Sequence, residues 1–279
     1  MPALPGFRSA PALRAYLGPQ QISSVMLRAG RELPDSALST ELDNPGNHWQ
    51  AALEALRSLI LQSRVASAPA DITLEISLSS RWCQMLLAPW SDALLAPPDA
   101  ARFLQTQLAT VYGDQARSWQ IVADDAPYGH PRSVCGTDAL LIDALKALAT
   151  DTGCRIQIIE PALATAFRTL PRQPAAQALA VLEAGRITMA TIQSGHITAI
   201  QSQPCSLTWQ LELPQAWQRW TLRAPELAAI ESVAVFDLCP SRPAALALVP
   251  SSLPPRFLLQ ANPFGTPQAA PKATAREAA

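Results

Sequence analysis

Few residues in this 279-residue chain combine the type and the spacing that chemistry needs. Glu183-Ala184-Gly185-Arg186-Ile187-Thr188 is the leading candidate: an acid, a glycine that tolerates positive φ, then a hydroxyl. Carboxylate and hydroxyl oxygens in one turn suit a hard cation or a phosphate beside it. The competing reading is a tight strand-to-strand turn with Glu183 in solvent. A second turn, Gly18-Pro19-Gln20-Gln21, offers Gly18, Gln20 and Gln21 as hydrogen-bond donors to phosphate. It carries no acid, and Pro19 removes a backbone N–H. Asp124-Asp125 at a strand end could hold a metal or position a water, against a solvated turn before Pro127. Tyr128-Gly129-His130-Pro131 presents a titratable group with no identifiable Ser or Cys nucleophile to serve. His48 and His196 lack metal-ligand spacing, and no Walker, G-x-S-x-G or H-E-x-x-H motif occurs. Trp209, Trp217 and Trp220 are candidates for a partner-facing surface, since tryptophan offers a large rigid contact area with one polar handle. Core packing competes for at least one of them.

Composition narrows the classes. Hydrophobic residues make up 49% and charged residues 15%, so a sizeable core is available. The formal net charge of −1 argues against a nucleic-acid surface. Lysine occurs only at Lys146 and Lys272, which excludes a P-loop lysine and leaves Lys146 as the one plausible Schiff-base former. Five widely spaced cysteines without a C-x-x-C read as buried reduced thiols of a cytoplasmic protein. The opening residues lack a signal-peptide pattern, and no stretch approaches the roughly 20 apolar residues that span a bilayer. A soluble chain that reaches a membrane only through a partner is therefore expected.

The elements that must position these residues alternate between strand and helix. Residues 1–11 read as a flexible start. Leu13–Leu17 and Ile22–Arg28 form strands around the Gly18 turn, and 30–47 reads as a surface loop. Asn47 caps a helix to Gln62, with Gln50 completing the box. Asp71–Ser79 alternates strictly, which predicts one buried and one polar face, with Trp82–Leu87 pairing against it. Asp99–Tyr112 is a helix stopped by Gly113, with Val111 on its inward stripe. Strands at 118–123 and 132–135 follow, then a helix over 138–150 capped by Thr137, with Leu140 on its buried stripe. Strand Cys154–Ile159 and a helix from Ala162 to Leu170 complete a first lobe over 12–170. Pro171–Pro174 is the boundary. The second lobe, 175–239, opens with three strands over 178–203, and Ala178–Leu182 reads as buried on both faces. Pro214 is expected to break the tryptophan segment into a strand or loop and a short helical piece. Ser232–Leu238 is a last strand. Residues 240–279 hold 8 of the 26 prolines and read as a disordered tail. The class is α/β with mixed sheets.

This order resembles the actin-like (ribonuclease H-like) proteins of bacterial type IV pilus assembly, the PilM-like group, and the cytoplasmic domain of the GspL-type subunit of type II secretion. The residues that carry the likeness are the strand–turn–strand opening, the Leu140-Leu141-x-x-x-Leu145 helix with its Gly153 stop, Pro161-Ala162, Leu182-Glu183-x-Gly185, and Ser194-Gly195-His196-Ile197. The resemblance runs from about Leu13 to Leu238. It implies a two-lobed actin-like fold whose two turns face a nucleotide. It also implies a platform protein at the cytoplasmic face, bound to the short cytoplasmic N-terminal tail of an inner-membrane partner. The chain departs from the pattern in three places: the first turn lacks its Asp, the second has Glu183 for Asp, and no Gly-Gly-rich adenosine loop follows Thr221. These departures weigh against ATP and Mg²⁺ binding, and more strongly against hydrolysis. The expectation is a degenerate, non-catalytic scaffold with no cofactor, and the alternative is an active ATPase or sugar-kinase-like enzyme using Mg-ATP.

Overall fold

The computed structural model describes residues 11–67, 72–170, 177–206, 208–239 and 255–265, with 65–67 as backbone alone. The expected linker at 66–70, the boundary at 171–174 and the tail beyond 265 fall largely or wholly outside these residues. In chain order the first lobe holds β1 (Ala12–Leu17), β2 (Gln21–Arg28), β3 (Arg31–Glu32), β4 (Leu38–Glu41), α1 (Trp49–Ser67) and β5 (Thr73–Leu78). An inserted unit follows, with β6 (Cys83–Ala88), α2 (Pro97–Tyr112), β7 (Trp119–Ala123) and β8 (Arg132–Asp138). The chain returns through α3 (Ala139–Asp151), β9 (Arg155–Pro161) and α4 (Ala162–Thr169). The second lobe is β10 (Ala178–Glu183), β11 (Arg186–Gln193), β12 (His196–Pro204), α5 (Trp209–Thr221), β13 (Ser232–Asp237) and β14 (Arg256–Leu259).

The two main sheets share a strand plan. The first runs β3-β2-β1-β5-β9 with β4 also on β2, and the second runs β12-β11-β10-β13-β14. In each, an antiparallel meander meets two parallel strands, β1 beside β5 and β10 beside β13. Side chains alternate across each strand and so define two faces per sheet. Leu13, Ala15 and Leu17 face α1 and α3 in one core. Ala178, Ala180 and Leu182 face α5 in another. The remaining faces enclose α4, where Tyr16, Leu179, Val181 and Phe236 share a third core with Ala162, Leu163 and Ala166. The layers are therefore helices, sheet, α4, sheet, helix.

Several expectations change. The polar face of β5 meets α4 instead of water: Glu75 and Ser77 are buried. They join a network in which Arg14 Nε lies 2.9 Å from Glu75, Arg168 bridges Glu75 (3.3 Å) and Glu160 (2.7 Å), and Thr165 Oγ1 lies 2.5 Å from Ser77 Oγ. Trp82–Leu87 does not pair with β5. β6 joins β8 and β7 in a separate three-stranded sheet inside the first lobe. Asn47 has φ 53° and does not cap α1. Asn44 organises that start instead, accepting from His48 N and donating to the carbonyls of His48 and Pro19. Asp138, not Thr137, caps α3 by accepting from Leu140 N. Residues 30–47 include β3 and β4, and α5 runs through Pro214. Its buried Leu213, Ala216 and Trp217 hold a helix that propensity disfavours. The second lobe does not end at 239: β14 adds a strand in parallel to β13, and Phe264 is fully buried. That part of the expected tail is structure.

Candidate functional site: the interlobe cleft

The carboxyl ends of parallel strands are where open α/β sheets bind ligands, and here those of β1, β5 and β10 converge. Register parity puts Tyr16 and Glu183 on the faces that look toward each other. Glu183 is 2% exposed, so the solvated turn is ruled out. Tyr16 Oη donates to its Oε1 at 2.9 Å. The Ser80 backbone N–H reaches both carboxylate oxygens, at 3.1 and 3.2 Å, and Ser80 Oγ also donates to Oε2. Ser80 is placed by a turn at the end of β5, where Ser79 N donates to Leu17 O and the N–H groups of Trp82 and Cys83 donate to Ser79 O. Burial first, and the Glu183 charge second, raise the Tyr16 phenol well above its ordinary value, so Tyr16 keeps its proton as the donor. Three donors from the first lobe thus meet one carboxylate of the second.

The other candidates distribute unevenly. Thr188 is buried, lies 3.1 Å from Ser202 Oγ and lines the same cavity as Glu183. Gly185 has φ 77°, which its turn requires. Gly18 is needed for another reason: a Cβ there would come within 2.7 Å of the Tyr16 ring. Its N–H donates to Gln21 O, closing the turn on itself. Gln20 is exposed, and Gln21 Nε2 donates to Ser23 Oγ at 2.6 Å. The first turn therefore touches the site only through Tyr16. Tyr16 and Ser80 were not singled out from the sequence. Ser80 had a signal in the Ser79-Ser80-Arg81 end of an alternating strand, whereas Tyr16 had none.

The cavity beside Glu183 holds about 20 Å³ and is lined by Ser80, Gln84, Tyr112, Arg186, Thr188 and Ser202 among others. That is space for about one water molecule, not for a nucleotide. The Glu183 carboxylate accepts from internal donors, and the first turn is closed by its own Gly18 N–H. Asp124 accepts from Ser133 N at 3.0 Å, and burial raises its carboxyl above the usual range. Asp125 and His130 are exposed. No group of three or more His, Cys, Asp or Glu able to hold a metal exists among the described residues.

The three tryptophans are corrected outright. Trp209, Trp217 and Trp220 are at most 6% exposed in the α5 core, with Trp217 and Trp220 edge to face at 5.4 Å. Their 209/217/220 spacing is that of one buried helical stripe. A more open feature is the groove of about 260 Å³ between β7 and β9, lined by Val122, Ile142, Lys146, Ile156, Ile159 and Glu160 among others. β7 pairs only with β8 and β9 only with β5 among the described residues, so each presents a free edge.

No protein-family model matches the chain, and no curated protein does. Solved structures do. The cytoplasmic domain of EpsL, an inner-membrane component of the type II secretion system of Vibrio cholerae, aligns with TM-score 0.58 at 12% identity, covering 91% of both chains. The PilM–PilN type IV pilus biogenesis complex aligns at 0.56 and 12% identity over 81% of each chain. A Bacteroides thetaiotaomicron protein with an actin-like ATPase fold aligns at 0.51 and 10% identity, over 84% of this chain and 85% of that one. The fold is actin-like. The two turns singled out from the sequence are the β1–β2 and β10–β11 turns, and the side chains of Tyr16 and Glu183 bridge the strands that lead into them.

Proposed function

We propose that this chain is a non-catalytic actin-like scaffold of a bacterial type IV pilus or type II secretion platform, binding the cytoplasmic segment of an inner-membrane partner. The observation that carries the reading is the cleft: Glu183, the one acid of the two turns, is held by Tyr16 and Ser80 beside a cavity of about 20 Å³. The structural likeness to an EpsL cytoplasmic domain and to PilM in its complex with PilN supports the platform setting. Among the described residues no helix is long and apolar enough to cross a membrane, so this part of the chain would meet the bilayer through its partner.

The β7–β9 groove is the place we assign to that partner. An extended segment entering it finds a free strand edge for main-chain pairing, apolar contacts from Val122, Ile156 and Ile159, and a positive charge at Lys146. Val122 is 57% exposed, so it can be changed without disturbing the core.

Two measurements test the reading. Melting the protein with and without millimolar Mg-ATP is expected to give no ATP-specific rise. Saturation at about 100 times the dissociation constant would add roughly 2.7 kcal/mol. A rise of that kind, lost in Glu183→Gln, would establish the rival, an active Mg-ATP enzyme. Synthetic peptides of the cytoplasmic segments of membrane proteins encoded beside this gene should include one that binds, and Val122→Glu should weaken it at least tenfold with an unchanged melting point. Equal binding by the variant would remove the groove from the account.

A further inference from the structure

We propose that Asn262–Gly265 is a releasable strap that holds the two lobes closed, and that Tyr16 transmits its state to the cleft. The segment leaves the edge strand of the second lobe and crosses to the inner face of the first. Pro263 O accepts from Arg14 Nη1 at 3.5 Å. Phe264 is fully buried with its ring 5.4 Å from that of Tyr16. Gly265 lies so close to the first sheet that a Cβ would meet the Ala37 Cβ at 2.6 Å, and its φ is 75°. Asn262 fixes the bend by accepting from Phe264 N at 3.0 Å. Tyr16 therefore has two attachments to the second lobe. Its ring rests on Phe264 and its hydroxyl donates to Glu183. Withdrawing Phe264 removes the ring's support and loosens the Tyr16 hydroxyl on Glu183, so that the cleft end of the lobe contact rests more on Ser80.

The segment to be released is short, because β14 is a four-residue edge strand and the strap is four residues long, with Phe264 as its fully buried anchor. Short edge elements occupy the low end of local stability. The device does not depend on the partner reading above, and it would operate in an enzyme as well.

Amide hydrogen exchange at Ser80, whose N–H donates to Glu183, reports the cleft directly. In the full chain, Phe264→Ala is expected to speed that exchange at least tenfold while amides in α1 and α5 keep their rates. Gly265→Leu, which forces the strap off Ala37 without emptying the core, should do the same if Phe264→Ala folds poorly. In a Tyr16→Phe background the added effect of Phe264→Ala should shrink to less than threefold, because the transmitting contact is already gone. An unchanged Ser80 rate, or an equal rise through α1 and α5, would overturn the proposal.

Discussion

The two sheets share one strand plan yet present opposite chemistry to the helix between them. Toward α4 the second sheet offers Leu179, Val181, Ala190 and Phe236, all buried and apolar. The first offers Arg14, Glu75 and Ser77, equally buried but charged or polar. Area burial alone stabilises the apolar face. On the polar face, each charge must find a partner, because a buried ion without one is far costlier than the pair. Only the polar face can therefore specify one relative placement of α4, through Arg168 and Thr165. Glu183 extends that logic to the lobe contact, as an acid at the end of the face that carries Leu179 and Val181, where it selects Tyr16 and Ser80.

The comparison can be broken at either face. Phe236→Ala on the apolar face should cost most, about 4 kcal/mol in urea unfolding, from lost transfer and an unfilled cavity. Glu75→Ala should cost about 3 kcal/mol, because it leaves Arg14 buried without its carboxylate. The sharper form is the double change Arg14→Met with Glu75→Leu, expected to lose less than Glu75→Ala alone. If the double change loses more, the network contributes net stability and the contrast between the faces is misdrawn.

A smaller effect is expected at alkaline pH. Burial first, then the charges of Cys205 and Glu183, push the Cys239 thiol up to about 12 from its ordinary 9. A folded-state value raised above the unfolded one means the native chain keeps a proton that the unfolded chain releases. Stability is then intact below pH 9 and falls as pH rises from 9 toward 12, by about 2 kcal/mol near pH 10.5. Urea unfolding of Cys239→Ala across that window should show a flatter alkaline limb. The smallest effect belongs to Ser80→Ala, about 1 kcal/mol, since Glu183 keeps the Ser80 N–H and the Tyr16 hydroxyl. A loss above 3 kcal/mol would mean the hydroxyl carries the lobe contact.

Much of the architecture was legible in local pattern. The three strands from Ala178, the Gly113 and Gly153 helix stops, and the class of the fold follow from period-two and period-3.6 spacing and from glycine's access to positive φ. Periodicity assigns a stripe without knowing what lies opposite. Val111 and Leu140 sit on such stripes and are 62% and 68% exposed, because none of the described residues covers those turns of α2 and α3. The same limit hid the polar face of β5: alternation marked it correctly as a face, and water was the wrong neighbour.

The site divides in the same way. That residues 183–188 form a tight turn with an acid and a hydroxyl was written in the sequence, since a glycine and flanking strands fix it locally. Whether Glu183 meets solvent, a cation or protein was decided by Tyr16, 167 residues away, and Ser80, 103 residues away. Contacts at that separation depend on register, on α4 setting the spacing of two sheets, and on a segment near the chain's end closing over Tyr16. The local chain determines which elements form and which way each side chain points. Only their packing determines what each side chain meets, because a buried polar group takes its meaning from the partner that satisfies it.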